Sequence, residues 1–151
     1  MSIELKSFLK NACMDYVDAR IGRFNSTMYE LEEALKPESR SCMGDKYETS
    51  RALLHLEFEK LSGQVEQFNG LRRTVSLLDP HIKNGIIGFG SLVRTTLSNY
   101  FISIPAGEIR KQEDKFYAVG INSPVAISLL GKKPGDDFIV NGRSGNIISV
   151  E

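Results

Sequence analysis

A chain of 151 residues, 41% hydrophobic and 25% charged, is long enough for one compact core with an appendage or for two small domains, and too apolar to be disordered throughout. Lysine plus arginine and aspartate plus glutamate both number 19, so no global field announces nucleic acid and no like-charged block announces a tail. Cys13 and Cys42 are the only cysteines, too few for a disulfide scaffold and in no metal spacing; with no signal-peptide pattern at the start and no apolar run of membrane-spanning length, a cytoplasmic protein without membrane contact is expected.

From Ser2 to Leu35 there is no proline and only Gly22, while Val17, Ile21, Phe24, Met28, Leu31 and Leu35 recur in alternating steps of 4 and 3. Such a heptad stripe keeps one side of a helix against a partner. A second stripe, Leu54, Phe58, Leu61, Val65, Phe68, Leu71, Val75 and Leu78, follows Asp45 and Glu48, and Lys36-Pro37-Glu38-Ser39-Arg40-Ser41 breaks the pattern between the two. Residues 1–80 are therefore expected to form an antiparallel helical hairpin, a coiled coil with arms of about 45 Å. On such arms Cys13 and Cys42 would lie on the order of 40 Å apart and could not bridge. Gly63 and Gly70 each weaken the second helix by about 1 kcal/mol relative to alanine, so a bend or fraying is expected near them.

Residues 81–151 change character. Gly85-Ile86-Ile87-Gly88-Phe89-Gly90 lacks dinucleotide-loop spacing and reads as a flexible approach to a first strand. Short β-branched and aromatic runs follow at residues 90–96, 100–104, 116–121, 137–140 and 146–150, and Asn141-Gly142 is a hairpin signal inside a loop extended to Gly145. Ser123 to Asp136 writes helix start, helix, stop and turn in one line. Ser123 caps, Pro124 suits the first helical position, Val125 to Leu130 form the helix, Gly131 closes it, and Pro134-Gly135 turns the chain. The expected fold is α+β: the helical hairpin followed by a small antiparallel β domain with one short helix. His55 and His81 fall in different elements with no third ligand at metal spacing, which gives no zinc site.

The string Ser123-Pro124-Val125-Ala126-Ile127-Ser128-Leu129-Leu130-Gly131-Lys132-Lys133-Pro134-Gly135-Asp136 resembles the signature of the C-terminal domain of the Gre transcript-cleavage factors. Gly90-Ser91-Leu92-Val93 is similar to that domain's first strand. Gre factors also carry an N-terminal helical hairpin whose tip holds Gly-Asp and a Glu three residues beyond the Asp; Gly44-Asp45-Lys46-Tyr47-Glu48 stands at the matching place, with Lys46 and Tyr47 in place of the common Leu-Lys. The resemblance implies an FKBP-like fold for residues 81–151, RNA polymerase as partner with nascent RNA reached indirectly, and Ser123 and Pro124 as the polymerase docking point. It further implies that Asp45 and Glu48 act as catalytic acids, helping to retain a Mg²⁺ that is shared with the polymerase and not bound tightly by the factor alone. Such a chain stimulates the polymerase's own RNA cleavage and is no enzyme by itself. An FKBP-like fold does not imply prolyl isomerase activity, and the chain has no tryptophan to floor such a pocket.

The residues leave alternatives open. Asp-x-x-Glu at a helix start is also a capping box, with Asp45 as N-cap and Glu48 reaching back to its amide. Lys46 neutralises the acids it separates or anchors a phosphate, so a polymerase-binding inhibitor without cleavage is a second reading. A coiled-coil oligomerisation module bearing a peptide-binding β domain is a third, and oligomeric state is not set by the sequence.

Overall fold

In the computed structural model the described residues are 2–36 and 45–151, without the side chains of residues 2 and 45–47. A long N-terminal helical region is followed by a six-stranded mixed sheet and one short helix. The elements are α1 (Ser2–Ala34), α2 (Asp45–Ser76), β1 (Leu92–Thr95), β2 (Asn99–Ser103), β3 (Gly107–Lys111), β4 (Asp114–Gly120), α3 (Pro124–Leu129), β5 (Asp137–Val140) and β6 (Arg143–Val150). They form two compact units, Val17–Arg72 and the combination of Met1–Tyr16 with Arg73–Glu151.

In the unit spanning Val17–Arg72, contacts climb one helix as they descend the other. Arg72 Nη1 donates to Asp18 Oδ1 at 2.7 Å, the Phe24 and Phe68 rings lie 5.5 Å apart, and Arg51 Nη1 donates to the Leu35 carbonyl at 2.7 Å. The two helices are therefore antiparallel, as the paired stripes require. α2 runs unbroken through Gly63 and Gly70, so the helix does not fray at them: the apolar stripe on either side holds the glycines in the helix.

The other unit is built on the sheet, in the order β3-β4-β2-β1-β6-β5. Every neighbouring pair is antiparallel except β2 with β4, which is parallel with Tyr100 opposite Tyr117. The sheet is thus mixed and mostly antiparallel, with one parallel pair. The reason is β3, a strand absent from the sequence expectation: it leaves β2, takes the outer edge and returns through a tight turn, so that β4 enters beside β2 in the same direction. Its sequence, Gly-Glu-Ile-Arg-Lys, carries the charge that protects an exposed edge and hides a strand from an apolar pattern. The turn between β5 and β6 is also tighter than expected. Val140 faces Arg143, and Asn141 and Gly142, with φ of 51° and 77°, form a two-residue turn of the kind that matches strand twist.

Strand alternation puts Val93, Ile102 and Ile147 on the face covered by Ala126 and Leu129 of α3. Leu92, Phe101 and Phe116, fully buried, belong to the opposite face, which meets the start of α1. There Cys13 Sγ lies 3.6 Å from Ser103 Oγ and Lys111 Nζ sits 5.1 Å from the centre of the Phe8 ring. Two α1 lysines, one turn apart, bond main-chain carbonyls beyond α2: Lys10 Nζ donates to Leu78 O at 2.7 Å, and Lys6 Nζ to Ile82 O at 2.8 Å and Glu151 O at 3.1 Å. Burial pushes the Lys6 ammonium below its ordinary pKa, against the opposing pull of Glu151 and Asp79. The glycine-rich segment before β1 is held rather than loose: Ile87 N–H donates to Lys132 O at 2.8 Å and Gly131 N–H to Ile87 O at 3.0 Å.

Candidate functional site

The acidic pair falls on the first turn of α2, which begins at Asp45. Gly44 and the side chains of Asp45, Lys46 and Tyr47 lie outside the described residues, so neither the metal-holding nor the capping reading of Asp45 is tested. Glu48 is described and exposed, as are Thr49 and Ser50. Arg51, one turn further on, is half-buried because it turns inward to the Leu35 carbonyl. Positions 51, 54, 58, 61, 65 and 68 continue the heptad steps, so an arginine occupies the end of an otherwise apolar seam. Among the described residues no group of three His, Cys, Asp or Glu side chains converges on a metal position. An exposed carboxylate such as Glu48 suits a hard, largely hydrated cation as one ligand among several, not as a metal site on its own.

Ser123 and Pro124 sit where local chemistry places them. Ser123 has extended backbone, its hydroxyl accepts from the Ala126 N–H at 3.2 Å and donates to Gly120 O at 2.7 Å, and Pro124 is the first helical residue. The Ser123 side chain is thus committed internally, and Pro124 is exposed together with Ile121 and Ile127. At the other end of α3, the Leu130 N–H closes on Ala126 O at 2.8 Å and Gly131 adopts φ 81°. The following turn puts Gly135 at φ 93°, with Asp136 N–H on Lys133 O at 3.1 Å and Lys133 N–H on Asp136 Oδ2 at 3.0 Å. Lys132 Nζ donates to Asp137 O at 2.6 Å, which ties that lysine to the start of β5.

Directly beside Pro124 the structure holds a feature that sequence reasoning missed. An open cleft of about 330 Å³ lies between the sheet and the start of α3, lined by the apolar and aromatic Leu97, Tyr100, Tyr117, Val119, Val125 and Val140 together with the polar Ser98, Asn141 and Arg143. The two tyrosines come from the parallel strands, their ring centres 6.3 Å apart. The only advance signal was alternation: Tyr100 shares a face with Ile102, and Tyr117 with Val119. Which strands are neighbours was not readable without β3, so the convergence was not either.

No protein-family model matches the chain, and no curated protein matches it. Solved structures similar to it include one of the transcription factor Gfh1, at 16% identity over 92% of this chain and 93% of that one with a TM-score of 0.38. Two others are the GreA factor homolog 1 (Gfh1) protein of Thermus thermophilus, at 14% identity over 94% of both chains and a TM-score of 0.35, and Thermus aquaticus Gfh1, at 16% identity over 93% of this chain and 94% of that one, with a TM-score of 0.36.

Proposed function

We propose that the chain is a Gre-like transcription factor that binds RNA polymerase and stimulates the polymerase's own cleavage of backtracked RNA. The observation that carries this reading is Ser123–Asp136, the Gre-like string, whose residues take the local form their own chemistry predicts: cap, first-turn proline, left-handed glycine and closing turn. In this reading the exposed edge at Ile121, Pro124 and Ile127, with the adjoining cleft at Val125, docks on the polymerase, and Ser123 shapes that edge from within.

Asp45 and Glu48, on the first turn of α2, would supply carboxylate oxygens to a Mg²⁺ shared with the polymerase's catalytic centre. The cation's contribution is to stabilise attacking and leaving oxygens in phosphodiester hydrolysis. Glu48 contributes a solvent-facing carboxylate close to the positive end of the helix, where negative charge is favoured. In this reading the chain assists the polymerase's own cleavage, and the catalytic centre belongs to the polymerase.

The test is cleavage of a stalled elongation complex. Wild-type protein is expected to shorten the backtracked transcript, Glu48→Gln and Asp45→Asn to lose that stimulation while still co-purifying with polymerase, and Val125→Asp to lose binding. Normal cleavage by Glu48→Gln would remove the metal role. A second reading rests on Lys46, which separates the two acids: binding without cleavage, so that wild-type protein competes with other polymerase-bound factors and leaves the transcript intact.

A further inference from the structure

Every other described seam position of α2 facing α1 in the unit Val17–Arg72 is apolar, from Leu54 through Phe58, Leu61 and Val65 to Phe68; Arg51 is the exception. A seam arginine loses the packing of a leucine and gains only what its guanidinium can bond. One such bond is from Nη1 to Leu35 O at 2.7 Å, one residue past the end of α1. The last carbonyls of a helix have no intrahelical N–H donor, and α1 has no basic residue in its last turn. Arg51 supplies across the pair both a donor and the positive charge that a helix C-terminus favours. A bond from a seam position to one particular carbonyl is also selective, since a shift of one helix along the other breaks it, whereas leucine packs nearly as well one turn away. Single polar residues at seam positions fix register in this manner, at some cost in stability.

We propose that Arg51 is the register pin of the helix pair, locking the first turn of α2 against the last turn of α1. Glu48 lies one turn before Arg51 on the same helix, so a slip of one turn would carry its carboxylate roughly 5.4 Å along the axis. Misplacement by about 1 Å is enough to cost an assisted reaction roughly 100-fold. Arg51 is in this sense a positioning residue for Glu48. That consequence rests on the function proposed above; the pin itself does not.

The experiment uses the full chain with Cys42→Ser, the buried Cys13 left in place, and spin labels at the exposed positions 32 and 50. Arg51→Leu restores an apolar seam and so keeps the helices paired and the melting temperature at or above that of the parent. Electron-electron distance measurement is expected to give one narrow distribution for the parent and for Arg51→Lys, and a broad or two-peaked one for Arg51→Leu. In the transcript-cleavage assay Arg51→Leu is expected to lower the maximal rate roughly 100-fold with unchanged affinity for polymerase, and Arg51→Lys to recover most of it. A narrow, unshifted distribution in Arg51→Leu overturns the pin. A broad distribution with undiminished cleavage overturns its link to Glu48. Wild-type protein that binds polymerase without cleaving refutes the reading of Glu48, and the distances then decide the pin alone.

Discussion

Gly145 lies where the Phe138 ring presses on the β6 backbone. A Cβ built there would stand 2.7 Å from Phe138 Cε1, 2.8 Å from Cζ and 2.9 Å from Leu97 Cγ. Phe138 is 1% exposed and packed into the core beneath α3, so its ring has nowhere to retreat. Gly145→Ala is expected to cost about 1–3 kcal/mol, the usual toll of overpacking, read as a lower urea midpoint with an unchanged slope; an unaltered midpoint would show that the ring relaxes freely. Cys13 gives a pH-dependent counterpart. Burial pushes its thiol above the ordinary value of 9.0, with the Ser103 hydroxyl pulling the other way. The unfolded chain therefore releases this proton at a lower pH than the folded one does. Stability from this group is complete below about pH 9 and is lost as pH rises toward the folded pKa. Cys13→Ala is expected to be less stable at pH 7 but to flatten the alkaline decline seen by denaturant titration, and a parallel decline in both proteins would contradict this. Of these sites, Ser123, Pro124 and Gly131 were legible because their roles are local. Gly145 was not, since its neighbours Phe138 and Leu97 come from other strands and loops.

The helices were legible as elements because a seam repeats over many residues, and the repeat survives two glycines. β3 was not, because an edge strand made of Glu, Ile, Arg and Lys offers no alternation to read. Arg51 escaped for a related reason: a search for apolar steps of 3 and 4 stops at Leu54. The long side chains that bond carbonyls near the helix ends follow one principle in both units, Arg51 acting at the end of α1 and Lys10 just past the end of α2. Leu77 and Leu78 close that end with 3₁₀-type bonds to Thr74 and Val75, and Lys10 takes up the Leu78 carbonyl. Lys10→Met keeps the aliphatic stem and removes the charge and donor. It is expected to cost about 1.5–3 kcal/mol, the range for a hydrogen bond to a charged group, with thermal unfolding as the readout. By contrast the exposed Asp18–Arg72 pair, with side chains 43% and 54% exposed, is worth about 0.2–1 kcal/mol at most. If Lys10→Met costs no more than breaking that pair, the carbonyl is satisfied by water and the closing role assigned to Lys10 fails.

At the scale of the whole molecule, the start of α1 is a structural layer of the unit that holds the sheet, whereas the rest of that helix from Val17 belongs to the other unit. Periodicity could not reveal this, because the helical pattern runs through Tyr16 and Val17 without a break while the packing partners change. Leu92, Phe101 and Phe116 are fully buried on the sheet face away from α3, and residues 2–16 supply the buried Leu9 and Cys13 and the Lys6 and Lys10 bonds that close the unit. Exposing those three side chains alone would cost on the order of 5–9 kcal/mol, comparable with the whole stability of a typical domain, about 5–15 kcal/mol. A fragment of residues 81–151, although it contains every strand and α3, is therefore expected to lose cooperative thermal unfolding and near-ultraviolet circular dichroism and to bind a hydrophobic dye, while the full chain melts in one sharp step through this unit. Native-like near-ultraviolet signal and a sharp transition in the fragment would mean that the sheet face is covered without α1, and the helical layer would then be an accessory to a domain complete in itself.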